Sequence, residues 1–403
     1  MHSKKLSTAI SSAAAALIVL LLAGPADAQG DREVEFQSYN IPGWSFTPSV
    51  AVGTTYDSNI ALASPRADVG DTKSDWLINV VPAGQLKFLG KHTEFSASYG
   101  GFLRRYVANS GLDELAQRAS MNFSRTVSRR LSMFLSDSFA DSPTTDEIEL
   151  YGVPFFRAGS RRNSFAAGSS YRLAKFTTLS SRYDMTWVSF DQLNTPLSGG
   201  WIHALRNELS QTLNERVSVG VEYSYRTAAL DDDRDFAFQD AGGLITVVLG
   251  PHTTANAAAG YSLLRDRTEN LTRSGLYLRT TLTHSLEHAT VGGGYSRHFI
   301  PSFGFGGASS SQELNGYIRM PIAANRLYFQ GSAAWRHTIP FEADALELDS
   351  IWLRSTLGFS PMRWARVEGY YTYARQDSII TGGEVDRHRV GVQLVISQSV
   401  RLR

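Results

Sequence analysis

From Phe46 onward the chain repeats one pattern: an alternating run of apolar and polar positions, a turn, and a second alternating run in return. Val217 to Arg226 shows it in one stretch. Val217, Val219, Val221, Tyr223 and Tyr225 are apolar or aromatic, whereas Ser218, Gly220, Glu222, Ser224 and Arg226 are not. Successive side chains of an extended strand point to opposite faces, so this order builds a ribbon with an oily side and a wet side. The same order sets Phe95, Ala97, Tyr99 and Leu103 against Glu94, Ser96, Ser98 and Arg104, and Leu205, Leu209 and Leu213 against Arg206, Glu208 and Ser210. It recurs in Leu327, Phe329, Ala333 and Trp335 against Gln330, Ser332 and Arg336, and in Val390, Val392, Leu394 and Ile396 against Arg389 and Gln393. No helical period intervenes, which indicates an all-antiparallel meander.

The connections fall into two classes that alternate along the chain. Tight turns are expected at 89–92, 128–130, 174–175, 214–216, 250–252, 286–288, 323–326 and 360–363. Longer polar loops are expected at 64–73, 109–114, 141–159, 191–200, 231–235, 266–273, 301–310, 340–347 and 377–384. Seventeen connections join 18 strands, with 16 as the alternative count. Short turns on one side and long loops on the other are the asymmetry of bacterial outer-membrane barrels. With long loops first and last, both termini fall on the periplasmic side. The expected fold is therefore all-β, a transmembrane antiparallel up-and-down barrel in the cell outer membrane. Its longest loop, 141–159, is placed over or into the mouth.

A closed sheet satisfies its own backbone in lipid and leaves no exposed edges. Tyr56, Trp76, Trp187, Trp201 and Trp335 stand near strand ends, where interfacial girdles form. One register irregularity is expected: Phe236 and Phe238 have the opposite parity from Ile245 and Val247, which implies a bulge near Gly242-Gly243.

The start of the chain supplies an address. Lys4 and Lys5, the apolar run Ala13 to Leu22 and the small-x-small site Ala26-Asp27-Ala28 read as a signal peptide over 1–28. The apolar run is about half the roughly 20 residues that span a bilayer, which disfavours an anchor helix. A short periplasmic segment, 29–44, precedes the barrel at 45–403. The chain has no cysteine, which excludes a lipid-anchored lipoprotein, a disulfide framework and thiolate chemistry. Removing Lys4, Lys5 and Asp27 with the leader takes 39 basic and 38 acidic residues to 37 and 37. A neutral chain with scattered charge argues against nucleic acid as a partner. Outer-membrane lipid and lipopolysaccharide are the expected surroundings, and the oligomeric state is left open.

At the end of the first strand stands Tyr56-Asp57-Ser58-Asn59-Ile60. With the leader and the tyrosine-rich hairpins, this motif resembles the β-barrel porin 2 family of Gram-negative outer-membrane proteins. Members often accompany exopolysaccharide synthesis and export genes. The resemblance implies a secretion pore that works with a periplasmic polysaccharide export apparatus. One departure concerns assembly: such barrels usually end in an aromatic residue, and this chain ends Val400-Arg401-Leu402-Arg403.

A barrel of this width leaves an aqueous channel lined by the polar parity. That parity carries Arg104, Arg118, Arg182, Arg206, Arg226, Arg279, Arg319, Arg336, Arg354, Arg366 and Arg389, against Glu94, Asp184, Glu208, Glu222, Glu313 and Glu368. Eleven against six makes an electropositive wall, and the planar guanidinium suits carboxylates and phosphates. Two readings stand: a pore favouring anions or an acidic glycan, or arginines bracing the wall through neighbouring carboxylates. On the same parity, Tyr277, Tyr317, Tyr328, Trp352 and Tyr370 read either as a stacking track for sugars or as wall packing. The acidic stretches 146–149, 231–233 and 342–349 read either as sites for divalent ions shared with lipopolysaccharide or as solvated charge, and the absence of calcium-loop spacing favours the second.

An exopolysaccharide export pore is the leading function, with a general anion-preferring porin as the alternative. An outer-membrane enzyme or an adhesin forms the remaining class. Catalysis needs converging groups, and the nine histidines offer little. Glu287-His288 lies in a tight turn, Asp386-Arg387-His388 stands near the last loop, and neighbours His284 and Ser285 point to opposite faces. No catalytic residue, metal site or cofactor is expected.

Overall fold

The computed structural model describes residues 42–63, 73–148, 150–191, 197–304, 307–323, 326–341, 346–378 and 383–402. The leader, the segment 29–41, Glu149 and parts of the loops at 64–72, 192–196, 342–345 and 379–382 lie outside the described residues.

Eighteen long strands form one meander: β1 Gly43–Asp57, β2 Asp75–Leu89, β3 Thr93–Tyr106, β4 Glu114–Thr126, β5 Leu131–Ser142, β6 Ser160–Arg172, β7 Thr177–Phe190, β8 Gly200–Thr212 and β9 Val217–Leu230. The second half runs β10 Asp235–Gly250, β11 Thr253–Asp266, β12 Leu271–Leu286, β13 Ala289–Pro301, β14 Ala308–Ala323, β15 Leu327–Pro340, β16 Leu348–Met362, β17 Ala365–Ser378 and β18 Gly383–Ser397. A two-residue extension, β19 Val400–Arg401, pairs with Ser45 and Phe46. The sheet closes where β1 meets β18, in register from Asp57 opposite Arg389 to Ser49 opposite Ser397. The strand count and the alternation of short and long connections are those expected.

Closure divides each strand into a lipid face and a lumen face. Ile78, Val221, Leu276 and Val392 stand out from the barrel, about half or more exposed. No described helix is long and apolar enough to cross a membrane. A closed barrel with an apolar belt satisfies its backbone in lipid, and this places the chain in the outer membrane. Tyr56 packs against Trp76 and Trp187 against Trp201 on the lipid side, near the loop ends of their strands.

The interior departs from a simple wet wall. Phe236 and Phe238 lie fully buried on the lumen face, joined by Val188, Ala228, Leu230 and Leu264. Ile148, Leu150 and Val153 of the loop between β5 and β6, with Phe303 of the loop between β13 and β14, complete this dry core. The expected bulge at Gly242-Gly243 is therefore absent: β10 keeps unbroken register with β9 and β11 there, and the shift occurs between Val248 and Gly250. The parity change marks phenylalanines that point inward because loops meet them inside the barrel.

Candidate functional site

The loop 143–159 enters the lumen. Its 3-10 turn, Thr145–Glu147, is buried, which corrects the reading of Asp146 and Glu147 as solvated charge. Their counter-ions are arginines of the wall.

Burying a carboxylate is costly unless it is paired and hydrogen-bonded. Arg387 of β18 meets this need for two of them. Its Nη2 lies 2.6 Å from Asp57 Oδ2, and its Nη1 lies 3.0 Å from Asp146 Oδ1. Arg389, two residues on and on the same face, reaches Asp57 at 2.9 Å and also Glu147. Glu147 further accepts from Arg104 at 2.8 and 2.9 Å, and Arg118 stands 3.7 Å away. Burial alone would raise the Glu147 carboxyl, but Arg104 and Arg389 outweigh it and hold the group well below the usual carboxylate range.

The motif Tyr56 to Ile60 belongs to this anchor. Asp57 supplies the carboxylate between Arg387 and Arg389. Asn59 donates to the carbonyls of Ala63 and Asp386, 2.8 Å each, and so ties the first loop to β18. Ile60 is fully buried against Leu77 and Tyr106.

The far end of the loop is held independently. Arg157 pairs with Glu114 at 2.8 Å and donates to the carbonyls of Ile60 and Leu112. Gln376 of β17 accepts from the Phe155 amide at 2.7 Å and donates to the Val153 carbonyl at 3.2 Å. Arg336 of β15 pairs with Glu313 at 3.0 Å, donates to the Leu150 carbonyl, and lies 4.1 Å from the Tyr151 ring centre and 5.0 Å from that of Trp352. Glu313 and burial together push the Tyr151 hydroxyl up, against the opposing pull of Arg336, so it stays neutral.

All eleven expected arginines lie on the lumen face of the register. Arg104, Arg118 and Arg389 meet the loop. Arg226 pairs with Asp240 and Arg279 with Glu222, both at 2.8 Å. Arg182 pairs with Asp184 and Arg366 with Glu368. Arg319 lies over the Tyr317 ring, and Arg206 shares the field of Arg279, Glu222 and Arg226. Arg354 joins Arg104, Arg118 and Arg389 around a cavity of about 50 Å³. Glu222 and Arg226 were expected to meet lumen water; Glu222 is instead buried in its pair, and Arg226 reaches Asp240 and the Phe299 carbonyl.

The five aromatic candidates also face inward. Tyr317, Tyr328 and Tyr370 each lie directly across from a glycine of a neighbouring strand: Gly292, Gly358 and Gly391. A Cβ at Gly391 would stand 2.3 Å from the Tyr370 ring, so glycine is what lets that ring lie flat on the wall. Tyr277 is opposite Gly260, and Trp352 packs on Phe155 of the inserted loop. Toward the tight turns the lumen widens into a cavity of about 720 Å³, lined by short polar groups such as Ser96, Ser120, Asn122, Ser136 and Ser164.

Residues that the alternation had not singled out carry the anchor: Arg387, Asp57, Asp146, Glu147, Glu114 and Arg157. Their signal was arithmetic, since a wall with five surplus arginines needs carboxylates from elsewhere.

Fold and site define a transmembrane β-barrel of the outer membrane with a loop inserted in its lumen. No family model and no curated protein matches the chain. Solved structures similar in fold include OccAB4 from Acinetobacter baumannii (10% identity, TM-score 0.45, 90% of this chain and 99% of that one). Others are OpdO from Pseudomonas aeruginosa (12%, 0.44, 89% and 98%) and the siderophore receptor PirA from the same organism (12%, 0.42, 90% and 81%). Likeness at this level assigns no solute. Among the described residues, no group of three or more histidines and carboxylates is placed to hold a metal.

Proposed function

We propose that the chain is a pore for small polar solutes with a preference for anions. The observation that carries this reading is the inserted loop: it narrows a wide barrel at a level where Arg104, Arg118, Arg354 and Arg389, together with Asp146 and Glu147, line the remaining space. Fixed guanidinium groups in a narrow, low-dielectric passage attract anions and repel cations. The polar vestibule below it, rich in serine, supports passage of hydrated solutes.

Export of an exopolysaccharide, implied by the resemblance to the β-barrel porin 2 family, is the second reading. Its support is the inward row of aromatic rings on β12 to β17. A polymer would have to displace the loop, whose carboxylates Arg387 and Arg389 grip, and this favours small solutes. We further place the tight turns and both chain ends in the periplasm, on the asymmetry of the connections.

Reversal potentials in planar bilayers under a salt gradient test the anion preference. A shift toward the chloride potential is expected, and cation selectivity would overturn the reading. Block of conductance by long acidic oligosaccharides, with none by monosaccharides, would favour export. A lumen that never conducts would leave an adhesin or structural barrel.

A further inference from the structure

We infer that the outer face of β5 to β8 is a contact surface between two copies of this chain in the membrane, related by a two-fold axis along the membrane normal. The starting observation is a charge in the lipid belt. Asp137 lies at the middle of β5 and has the parity opposite to Ser142, which bonds the inserted Glu147, so it faces outward. Directly across from it stand Met121 and Phe165. Other charges of the outer face, Arg105, Arg125, Asp141 and Arg161, stand one residue from a strand end, within reach of water. Lipid offers a carboxylate no hydrogen bond, so an ionisable group at mid-strand on the outer face of a barrel marks a functional surface.

Asp137 is only half satisfied. Its Oδ1 accepts from Asn163 Nδ2 at 3.2 Å, and its Oδ2 has no partner among the described residues. Three strands away on the same face, Asn207 stands at the middle of β8. Its Oδ1 accepts from the Ser181 hydroxyl at 2.7 Å, which leaves the Nδ2 amide without an acceptor among the described residues. One face thus carries a spare acceptor and a spare donor. By contrast, Gln117 and Gln239, also on the outer face, each accept from a tyrosine hydroxyl of the same chain, Tyr99 and Tyr223.

The two groups lie at one depth. The line of paired residues that starts at Thr47, near the tight-turn end of β1, reaches Ile202, near the loop end of β8, so such lines climb toward higher strand numbers. With a tilt of about 40° and strands about 4.8 Å apart, each strand crossed lifts the line by about 3 Å. From Asp137 the line passes through Phe165 and Met185 to His203, a rise of about 9 Å. Asn207 lies four residues from His203 toward the tight turn, a descent of about 10 Å. Copies in one membrane share an orientation, so a two-fold axis along the normal leaves depth unchanged. An axis over β6 and β7 therefore turns the Asp137 carboxylate of each copy toward the Asn207 amide of the other. Ala167 and Tyr183, opposite each other on β6 and β7, lie at that axis, where a small side chain beside a large one lets the faces interlock. A second copy is the occupant because the face complements itself under this rotation, and a lipid tail matches neither group. The inference concerns the outer wall and is independent of the pore reading.

The chain has no cysteine, so a single introduced cysteine reports contacts without interference. In outer membranes under mild oxidation, Ala167→Cys is expected to give a disulfide-linked dimer of this chain, and Val392→Cys on β18 is not. Energy transfer between two differently labelled populations of the full chain in lipid vesicles gives the dimer dissociation constant. Asp137→Leu and Asn207→Leu place an apolar group on the lipid side, so folding, followed by heat-modifiable migration, should be retained. Each is expected to raise the dissociation constant about tenfold, the loss of a hydrogen bond to a charged group. If either substitution prevents folding, the two cysteine variants still decide. Absence of the Ala167→Cys dimer, a cross-link to a different protein in its place, equal cross-linking from Val392→Cys, or an unchanged dissociation constant in folded Asp137→Leu would overturn the inference.

Discussion

Arg387 and Asp57 meet at 2.6 Å across the line where β18 closes onto β1, both all but completely buried. The pair joins two positions far apart in the chain, and through Asp146 the same guanidinium holds the inserted loop. One side chain thus couples closure of the barrel to the shape of its lumen. Replacing it with alanine strands two buried carboxylates. Arg387→Ala is expected to destabilise the barrel by about 3–5 kcal/mol, the range for removing one partner of a buried pair. Urea unfolding followed by heat-modifiable migration reads this out. Single-channel conductance of the assembled fraction should rise as the loop loosens. Unchanged stability together with unchanged conductance would contradict the anchor.

Glu147 sets the acid limit of the inserted loop. Its carboxyl is held well below the usual range, so it binds its proton in the unfolded chain before it does so in the folded one. Its contribution is therefore present in full above the unfolded value of about 4.3 and is lost as pH falls through the lower folded value. Conductance is expected to stay level as pH falls from neutral to about 5 and to change only below the unfolded value. A transition centred above that value would show that Glu147 is not gripped as described. Glu147→Gln, which leaves Arg104, Arg118 and Arg389 facing the lumen, should abolish the acid step and increase anion preference.

Much of this architecture was legible in the chain. Alternation assigned lipid and lumen faces correctly for strands such as β9, because a one-residue slip would turn every valine of that strand inward. Turn lengths indicated the strand number, since a hairpin turn needs few residues and a loop crossing a lumen needs many. The interior was harder to read. Phe236 and Phe238 look like a register error until loop residues Ile148 and Val153 are seen packing on them, and contacts that distant in sequence leave no periodic mark. The same holds for Glu147, whose burial follows from arginines on β3, β4 and β18 rather than from its neighbours in the chain.

The aromatic residues of the lumen are expected to act on stability first. Tyr370 lies over Gly391, its hydroxyl bonded to that of Thr55 and its ring buried, so it bridges β17 to both strands of the closure. Tyr370→Ala should cost about 3–5 kcal/mol, as truncation of a packed aromatic does. Gly391→Ala should also destabilise, because the new methyl collides with the ring. Unfolding in urea measures both. If instead Tyr370→Ala leaves stability intact and weakens block by oligosaccharides, the ring serves as a stacking surface and the export reading gains.

Val221 and Ser224 of β9 separate the two faces in one strand. Val221 is 59% exposed to lipid, and Ser224 is 5% exposed beneath the inserted elements. Val221→Arg places a charge in the apolar belt, at an expected cost of about 2–4 kcal/mol near mid-bilayer, and should reduce the folded fraction in outer-membrane preparations. Ser224→Arg in an open lumen would change conductance alone. Here Ser224 stands opposite Asp240, which already serves Arg226 and Ser262, and the added side chain has no room. Both substitutions are therefore expected to impair assembly, the first through desolvation of a charge and the second through overpacking of about 1–3 kcal/mol. Assembly of Ser224→Arg at the level of the unaltered protein, with only conductance altered, would mean that the lumen at this level is more open than the buried pair of Arg226 and Asp240 indicates.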